Sequence, residues 1–261
     1  MAASPLGTPF DATVGSMAAV VARAGERGDR VGEFAAMYAA VTRRVRTLSG
    51  EGAFEDGVRM AAFVDRFAAR YLDAVAAAEE GLPVSRSWSV AFKAAASWRP
   101  CVLQHLLLGI TAHIGLDLGI VAAEVASGPR GLGLERLRPD FDAINDVLEA
   151  LVPRVEGAVG ELSPAIGLLD KAGGRADALA ISRVLSVARA LAWHTATELA
   201  PLTGSARAEA IDRIDREVAE TARVIAHPGL ILSSVLLPIR LSERHSVAGS
   251  IAVLGAIDAA S

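Results

Sequence analysis

Apolar residues recur at helical spacing along most of the chain. Regular stripes start at Phe34, at Met60 and at Ile211, and each places its apolar side chains three or four residues apart. Charged residues occupy the other face of the third stripe. No convincing alternation of apolar and polar residues marks a strand. The pattern therefore predicts an all-α protein.

Glycine and proline residues interrupt these stripes and set the predicted helix boundaries. Because the predicted helices on both sides of the 127–139 loop are apolar on one side, we expect residues 1–261 to form a single domain, a multi-helix bundle. Residues 228–261 are expected to form a looser C-terminal segment. The predicted helices, eight in all, cover residues 11–26, 31–48, 56–80, 87–96, 100–126, 140–160, 175–200 and 205–226.

The longest apolar run, Pro100–Ala126, contains ionisable residues where only core residues are expected. In an α-helix, His105, Gly109, His113 and Asp117 form one i, i+4 ridge, in which Gly109 leaves a gap. The run is long enough to cross a bilayer, but its ionisable side chains would be costly in lipid. We therefore expect a buried central helix and no transmembrane span.

Composition narrows the classes of protein to consider. Hydrophobic residues make up 52% of the 261 residues and the net charge is −4, which argues against disorder and against an electrostatically driven nucleic-acid binder. Cys101 is the single cysteine, so no intrachain disulfide can form. With no signal peptide recognised at the N-terminus, we expect a cytoplasmic protein; its Arg- and Ala-rich composition fits a GC-rich bacterial genome. The oligomeric state stays open.

Several segments carry a family resemblance. They read F-A-A-M-Y-A-A-V-T (34–42), G-A-F-E-D (52–56), D-R-F-A-A-R-Y-L-D-A (65–74), S-W-S-V-A-F (87–92), L-Q-H-L-L-L-G-I-T-A-H-I-G-L-D-L (103–118), D-F-D-A-I-N (140–145) and A-R-A-L-A-W (188–193). Over residues 30–200 the chain thereby resembles an uncharacterised bacterial family, a domain of unknown function with an A-H-I-x-x-D-L helix, here Ala112–Leu118. Thr111 and Gly115 stand where that family tends to have Asn. The resemblance implies a helical fold and a site around this helix, and it implies no activity.

His113 and Asp117 are the central candidates for catalysis. One helical turn apart, they could form a metal-ligand pair or a general base oriented by a carboxylate, or they could tie two helices together. His105, two turns before His113, is a third catalytic candidate. His194 and Glu198 repeat the i, i+4 spacing and are weaker candidates for a shared metal site. A divalent metal is the candidate cofactor, although no zinc signature is present.

Six further residues are candidates for the wall of a substrate pocket. Asp65 could pair with Arg189, and Trp193 lies one turn after Arg189, a spacing suited to stacking or to an anionic ligand. Asn145 is expected to face inward as a hydrogen-bonding anchor, whereas Asp140 is expected to cap the helix that follows it. The full set of candidate substrate-binding residues is Tyr38, Asp65, Trp88, Asn145, Arg189 and Trp193.

Two main hypotheses for function follow. The first is an enzyme acting on a small molecule in an apolar cavity between helices, by metal-assisted or His general-base chemistry: hydrolysis, isomerisation or elimination. The alternative is a non-catalytic ligand-binding or scaffold protein in which His113 and Asp117 form a buried structural network. A third hypothesis is association with a membrane surface through the apolar segment Gly229–Leu241.

Overall fold

A computed structural model describes residues 9–128, 133–166 and 178–259. Within these ranges the chain forms eleven α-helices and no strand, which confirms the all-α prediction. The helices are α1 (Pro9–Arg27), α2 (Val31–Gly50), α3 (Gly57–Glu79), α4 (Arg86–Ala95), α5 (Val102–Ala112), α6 (Gly119–Ser127), α7 (Leu134–Leu162), α8 (Ala178–Leu199), α9 (Gly204–Ala226), α10 (Leu230–Ser242) and α11 (Val247–Gly255). A six-residue π-helix, His113–Leu118, joins α5 to α6.

The count differs from eight for two reasons. The predicted central helix is continuous, but the π-helix divides it into α5 and α6. The segment expected to be looser contains α10 and α11, and α11 packs Ile251 and Leu254 into the core beside α2. The end of this segment therefore contributes apolar side chains to the hydrophobic core.

Helix α7 starts at Leu134, six residues before the predicted boundary, and includes Pro139. Asp140 consequently lies inside α7, and the prediction that it caps its own helix is wrong. Its carboxylate instead accepts hydrogen bonds from the backbone N–H of Glu55, at 2.7 Å, and from the Arg59 side chain, also at 2.7 Å. Asp140 thus ties α7 to the segment that leads into α3, whose own N-cap is Asp56.

The core consists of two hydrophobic clusters that meet near the middle of the molecule. The first surrounds Tyr71 and Leu106, and the second surrounds Phe63 and Leu116. Partly buried Phe67, on α3, packs against both clusters. The π-helix lies at this junction, because its apolar side chains belong to the second cluster while His113 contacts Tyr38 and Tyr71 of the first.

The continuous helix Val102–Ser127 is long and apolar enough to cross a membrane, but 83% of its most apolar 18-residue window is buried inside the protein. Core helices of soluble proteins commonly meet the same criterion. Among the described residues, α9 and α10 also meet it when taken together as one span bent by 64°.

Phe34 fills the gap that Gly109 leaves in the central helix. A Cβ atom at position 109 would lie no more than 2.9 Å from three carbon atoms of the Phe34 ring. Cβ atoms do not approach other carbons so closely, so α2 and α5 can pack at this distance only with glycine at the contact. The ring stands beside the helix between the turns that carry His105 and His113.

We predict that Gly109→Ala destabilises the protein. The new methyl group must displace the Phe34 ring, and overpacking of this kind costs about 1–3 kcal/mol. The free energy of unfolding, measured by denaturant titration, should fall by about that amount. Gly157→Ala in α7 is the matched control, because no heavy atom lies within 4 Å of its Cβ position. It should gain up to about 1 kcal/mol from helix propensity. Equal effects of the two substitutions would contradict the packing argument.

Candidate functional site

The π-helix places His113 and Asp117 together in the core. Their relative exposures are 3% and 1%. A π-helix replaces i→i+4 bonds by i→i+5 bonds, is rare, and frequently marks a functional site because it costs stability. Here the irregular segment begins at His113 and contains Asp117. The two residues predicted as the centre of a site therefore occupy the most unusual backbone in the helix.

The Asp117 carboxylate accepts hydrogen bonds from two other helices. Oδ1 accepts from Arg70 Nε of α3 at 2.7 Å, and Oδ2 accepts from Trp88 Nε1 of α4 at 2.9 Å. His113 Nδ1 lies 3.5 Å from Oδ2, a long contact beside the two shorter ones. The carboxylate is thus held mainly by Arg70 and Trp88, and it also faces the imidazole.

Aromatic rings fix the plane of the His113 imidazole. The ring stacks on Phe67 with a centroid distance of 3.6 Å and an interplanar angle of 7°. Tyr38 packs against it edge-on at 4.3 Å, and Phe34 does so at 6.0 Å. Nε2 of His113 is buried and has no hydrogen-bond partner among the described residues. An unpartnered polar atom in a core is costly, so this nitrogen calls for a functional explanation.

Burial and hydrogen bonding determine the charge of the pair. Burial lowers the pKa of His113 below its ordinary value, although Asp117 acts in the opposite direction. For Asp117, burial opposes the charge, but the donors His113, Arg70 and Trp88 outweigh it and hold the pKa of the carboxyl below its ordinary value. At neutral pH the pair is therefore a neutral imidazole beside a carboxylate.

His113 lies on the wall of a cavity of about 110 Å³. For comparison, an engineered apolar cavity of about 150 Å³ holds a benzene molecule. Helices α2, α3, α5, α7 and α8 and the π-helix contribute the wall, which is almost entirely apolar and includes Tyr38, Val45, Phe63, Ile110, Ile144 and Leu151. The cavity is smaller than the engineered one and is therefore suited to an apolar group no larger than one aromatic ring.

Arg189 of α8 also lines the cavity and is 5% exposed. Its guanidinium donates to Asn145 Oδ1 and to the Phe141 carbonyl, and it stacks over the Phe141 ring at 4.3 Å. The Asp142 carboxylate acts on its charge, but Asp142 forms its ion pair with Arg138. Burial lowers the pKa of Arg189 to about 10, so the group still carries its charge at neutral pH.

The structure brings together four of the six residues predicted to line a pocket, in different roles. Tyr38 and Arg189 line the cavity, Asn145 holds Arg189, and Trp88 holds Asp117. The predicted pairing of Asp65 with Arg189 is not found. The Asp65 carboxylate instead accepts a hydrogen bond of 2.5 Å from Thr13 of α1.

The predicted contact between Trp193 and Arg189 is also absent from the observed pairs. The cation over the Trp193 ring is Arg138, at 4.7 Å, and Trp193 packs on Phe141 at 4.9 Å. Arg189 stacks instead on the Phe141 ring. Side chains one turn apart on α8 are therefore separated by a ring from α7.

His105 is buried but does not reach the cavity. It lines a small crevice with Arg30, Phe34, Trp88 and Gly109, and neither ring nitrogen has a hydrogen-bond partner among the described residues. Burial, assisted by Arg30 and Arg240, lowers its pKa to about 3. The Phe34 ring fills the position beside Gly109, between the turns that carry His105 and His113. His105 is therefore not part of the His113 site.

The residues proposed as metal ligands do not converge. Over the described residues, no group of three or more His, Cys, Asp or Glu side chains is arranged to hold a metal ion. His194 is exposed, and Glu198 forms an ion pair with Arg213 in a surface groove between α8 and α9. The Asp117 oxygens already accept from Arg70 and Trp88. A metal at His113 would have to compete with those donors.

Phe67 and Arg70 are the residues of the candidate site that the sequence did not single out. Both follow Phe63 on α3 at helical spacing, at i+4 and i+7, so Arg70 is a cation placed on an apolar stripe. That position was the available signal of a buried partner. Its identity as the partner of Asp117, 47 residues away, depends on tertiary packing.

Residues 10–228 match the model of a family described as a family of unknown function (DUF5995). The chain belongs to this family. The DUF5995 match extends beyond residues 30–200, where the sequence resemblance was recognised, and it includes the π-helix, Arg70 and Arg189. No curated protein and no solved structure matches the chain.

Glu33, on α2, is a second buried acid and gives a prediction about pH. It is 2% exposed, and its Oε2 has no hydrogen-bond partner among the described residues. Burial raises its pKa to about 7, with Glu243 acting in the same direction and Arg30 and Arg240 in the opposite one. Between the unfolded value of 4.5 and about 7, the folded state binds more protons than the unfolded state. Stability should therefore fall as pH rises through this window.

We predict that Glu33→Gln removes this loss. Above pH 7 the variant should be more stable than the wild type, by at most about 3 kcal/mol for a shift of this size. Thermal unfolding followed from pH 4 to pH 8 measures the difference. Glu149→Gln, at an exposed position of α7, is the control and should follow the wild type. A constant difference between Glu33→Gln and the wild type at every pH would count against the buried charge.

Proposed function

We propose that the protein is an enzyme in which His113 acts as a general base on a small, largely apolar molecule. One observation supports this most strongly: His113 Nε2 is buried, unpartnered among the described residues, and belongs to a side chain on the wall of an apolar cavity. With Nδ1 protonated and directed to Asp117, Nε2 presents a free lone pair. This is the arrangement of a base oriented by a carboxylate.

The electrostatics favour this role at neutral pH. A base must be unprotonated before it acts, and the lowered pKa of His113 keeps the imidazole neutral. When Nε2 accepts a proton, the new imidazolium is stabilised by the Asp117 carboxylate at 3.5 Å. Arg70 and Trp88 keep that carboxylate ionised and in position. The three side chains act as positioning residues for the base.

Arg189 supplies a cation on the same wall. A carboxylate or carbonyl group of the substrate placed near it would receive the negative charge that develops when a proton is removed. Asp142 acts on the charge of Arg189 but forms its own ion pair with Arg138, and none of the ion pairs among the described residues includes Arg189. Asn145 and the Phe141 carbonyl hold the guanidinium in place.

Proton transfer at carbon is the reaction class that best suits these residues. The cavity wall is apolar and offers few groups to bind a water nucleophile, which favours isomerisation or elimination over hydrolysis. The step removes a proton from a carbon next to a carbonyl or carboxylate, forms the imidazolium, and leaves the electron pair delocalised towards Arg189. The proton then returns to another carbon or a leaving group departs.

We propose a cytoplasmic location, consistent with the buried free thiol of Cys101.

The competing proposal is a non-catalytic binding or scaffold protein. The hydrogen bonds from α3 and α4 to Asp117 favour it, because they join three helices around one carboxylate. In that case the cavity would hold a ligand or be a packing defect, and His113 would contribute only to stability.

Deuterium exchange distinguishes the two proposals without a known substrate. Incubation of the protein with a bacterial small-molecule extract in D₂O should introduce deuterium into one metabolite, detected by mass spectrometry, because the proton on Nε2 exchanges with solvent. His113→Gln should reduce this incorporation by at least about 100-fold, the typical contribution of a general base. The matched control is His245→Gln at an exposed position, which should behave as the wild type.

The pH profile provides a second test. Because the pKa of His113 is lowered, the rate of incorporation should stay constant as pH falls to 6.5 and should decline only at lower pH. If His113→Gln keeps the full rate, His113 is not the base. If no metabolite is labelled and His113→Gln loses about 3–5 kcal/mol of stability, the structural alternative is correct.

A further inference from the structure

Helix α10 carries six of the twelve large apolar side chains that are exposed among the described residues. Leu230 is 93% exposed, Ile231 88%, Leu232 52% and Leu241 68%. Of its thirteen residues, only Ile239 is buried. Isolated exposed apolar residues are ordinary, but a concentration of this kind marks an interaction surface.

Three of the exposed apolar residues form the start of the helix. Leu230, Ile231 and Leu232 are consecutive and project about 100° apart, so together they cover roughly 200° of the helix circumference. Val224, at the end of α9, is also 68% exposed on the adjoining turn. A flat protein surface covers one side of a helix, whereas lipid acyl chains can surround a protruding apolar corner.

The hydroxyl groups of the two serines in the first half of α10 have partners within the segment itself. Ser233 Oγ donates to the Pro228 carbonyl at 2.8 Å, and Ser234 Oγ donates to the Ile231 carbonyl at 2.6 Å. No charged residue occurs from Pro228 to Ile239. Polar groups that enter lipid must find partners inside the protein, and these hydroxyl groups already have them.

Cations flank the apolar helix. The exposed charged residues nearest to α10 along the chain are Arg223 before it and Arg244 after it. Arg240 donates to the Trp98 carbonyl at 2.7 Å and so brings Trp98, 58% exposed, and Arg99 to the same end. Although the whole chain carries a charge of −4, this surface suits anionic headgroups, and tryptophan is enriched at the membrane interface.

The orientation of α10 is fixed by its C-terminal end. Arg240 binds Glu243 at 3.0 Å, and Glu243 Oε1 accepts from the Val102 backbone N–H at 2.8 Å and from Ser163 Oγ at 2.7 Å. These bonds connect α10 to the start of α5 and the end of α7. The C-terminal end of the helix is therefore tied to the rest of the protein, while its first turn remains exposed.

We propose that α10, together with Trp98, docks the protein on the surface of an anionic lipid bilayer. Leu230 and Ile231 enter the boundary between headgroups and acyl chains, and Arg99, Arg223 and Arg244 contact the headgroups. The proposal is independent of the chemistry at His113. It concerns where the protein acts, and a catalytic centre that proves inactive would leave it unchanged.

Vesicle co-sedimentation of the full chain tests the proposal. The protein should sediment with vesicles of phosphatidylcholine and phosphatidylglycerol, and more weakly with phosphatidylcholine alone. Replacing Leu230 and Ile231 together by Ser should weaken binding at least tenfold. Since both side chains are exposed, the fold should not change. The matched control is Val58→Ser, at an exposed position (81%) of α3, which should bind as the wild type.

Two further measurements identify the contact and exclude a protein partner. Trp98 fluorescence should shift to shorter wavelength when vesicles are added, and the shift should be lost in Trp98→Phe. Size-exclusion chromatography with light scattering reports self-association. The proposal is overturned if the wild type does not sediment with anionic vesicles, if Val58→Ser loses binding equally, or if the Leu230/Ile231 variant abolishes a dimer while vesicle binding is absent.

Discussion

The buried Asp117 carboxylate is the interaction on which the site depends. A charge in the core is stable only when donors replace the water it has lost, and here Arg70 and Trp88 supply them from two separate helices. The carboxylate thereby fixes the position of α3 and α4 relative to the π-helix. The same carboxylate faces His113, so the group that organises the packing also acts on the pKa of the imidazole, which it raises against the effect of burial. The carboxylate that joins the three helices is therefore also the one that the proposed chemistry uses.

The fold class could be predicted from the sequence because helical periodicity is a local property. The central helix and its polar residues were recognised for the same reason, since His113 and Asp117 interrupt an otherwise apolar run. The residues that complete the site could be predicted less well. Asp65 and Asp117 are both acids next to apolar residues, and only the tertiary structure shows that one binds Thr13 and the other binds Arg70.

The errors have a common physical origin. Spacing within one helix indicates which residues share a face, but it does not show what a neighbouring helix inserts between them. Phe34 enters the gap at Gly109, which separates His105 from the cavity. Phe141 takes the stacking position that Trp193 was expected to fill beside Arg189. In both cases an aromatic ring from another helix changes the outcome.

The π-helix also fixes the angular relation between the two halves of the central helix. Its wider turn sets the phase with which α6 follows α5, and α6 meets α8 at a contact where the Cβ position of Gly119 lies 2.5 Å from the Thr195 side chain. If the same residues from His113 to Leu118 formed a regular α-helix, every residue after them would rotate by about 100° relative to α5, because the wider turn of the π-helix absorbs one residue. Gly119 would then turn away from α8 and a larger side chain would face it. The contact between α6 and α8 therefore depends on the π-helical form of this segment as well as on the glycine at position 119.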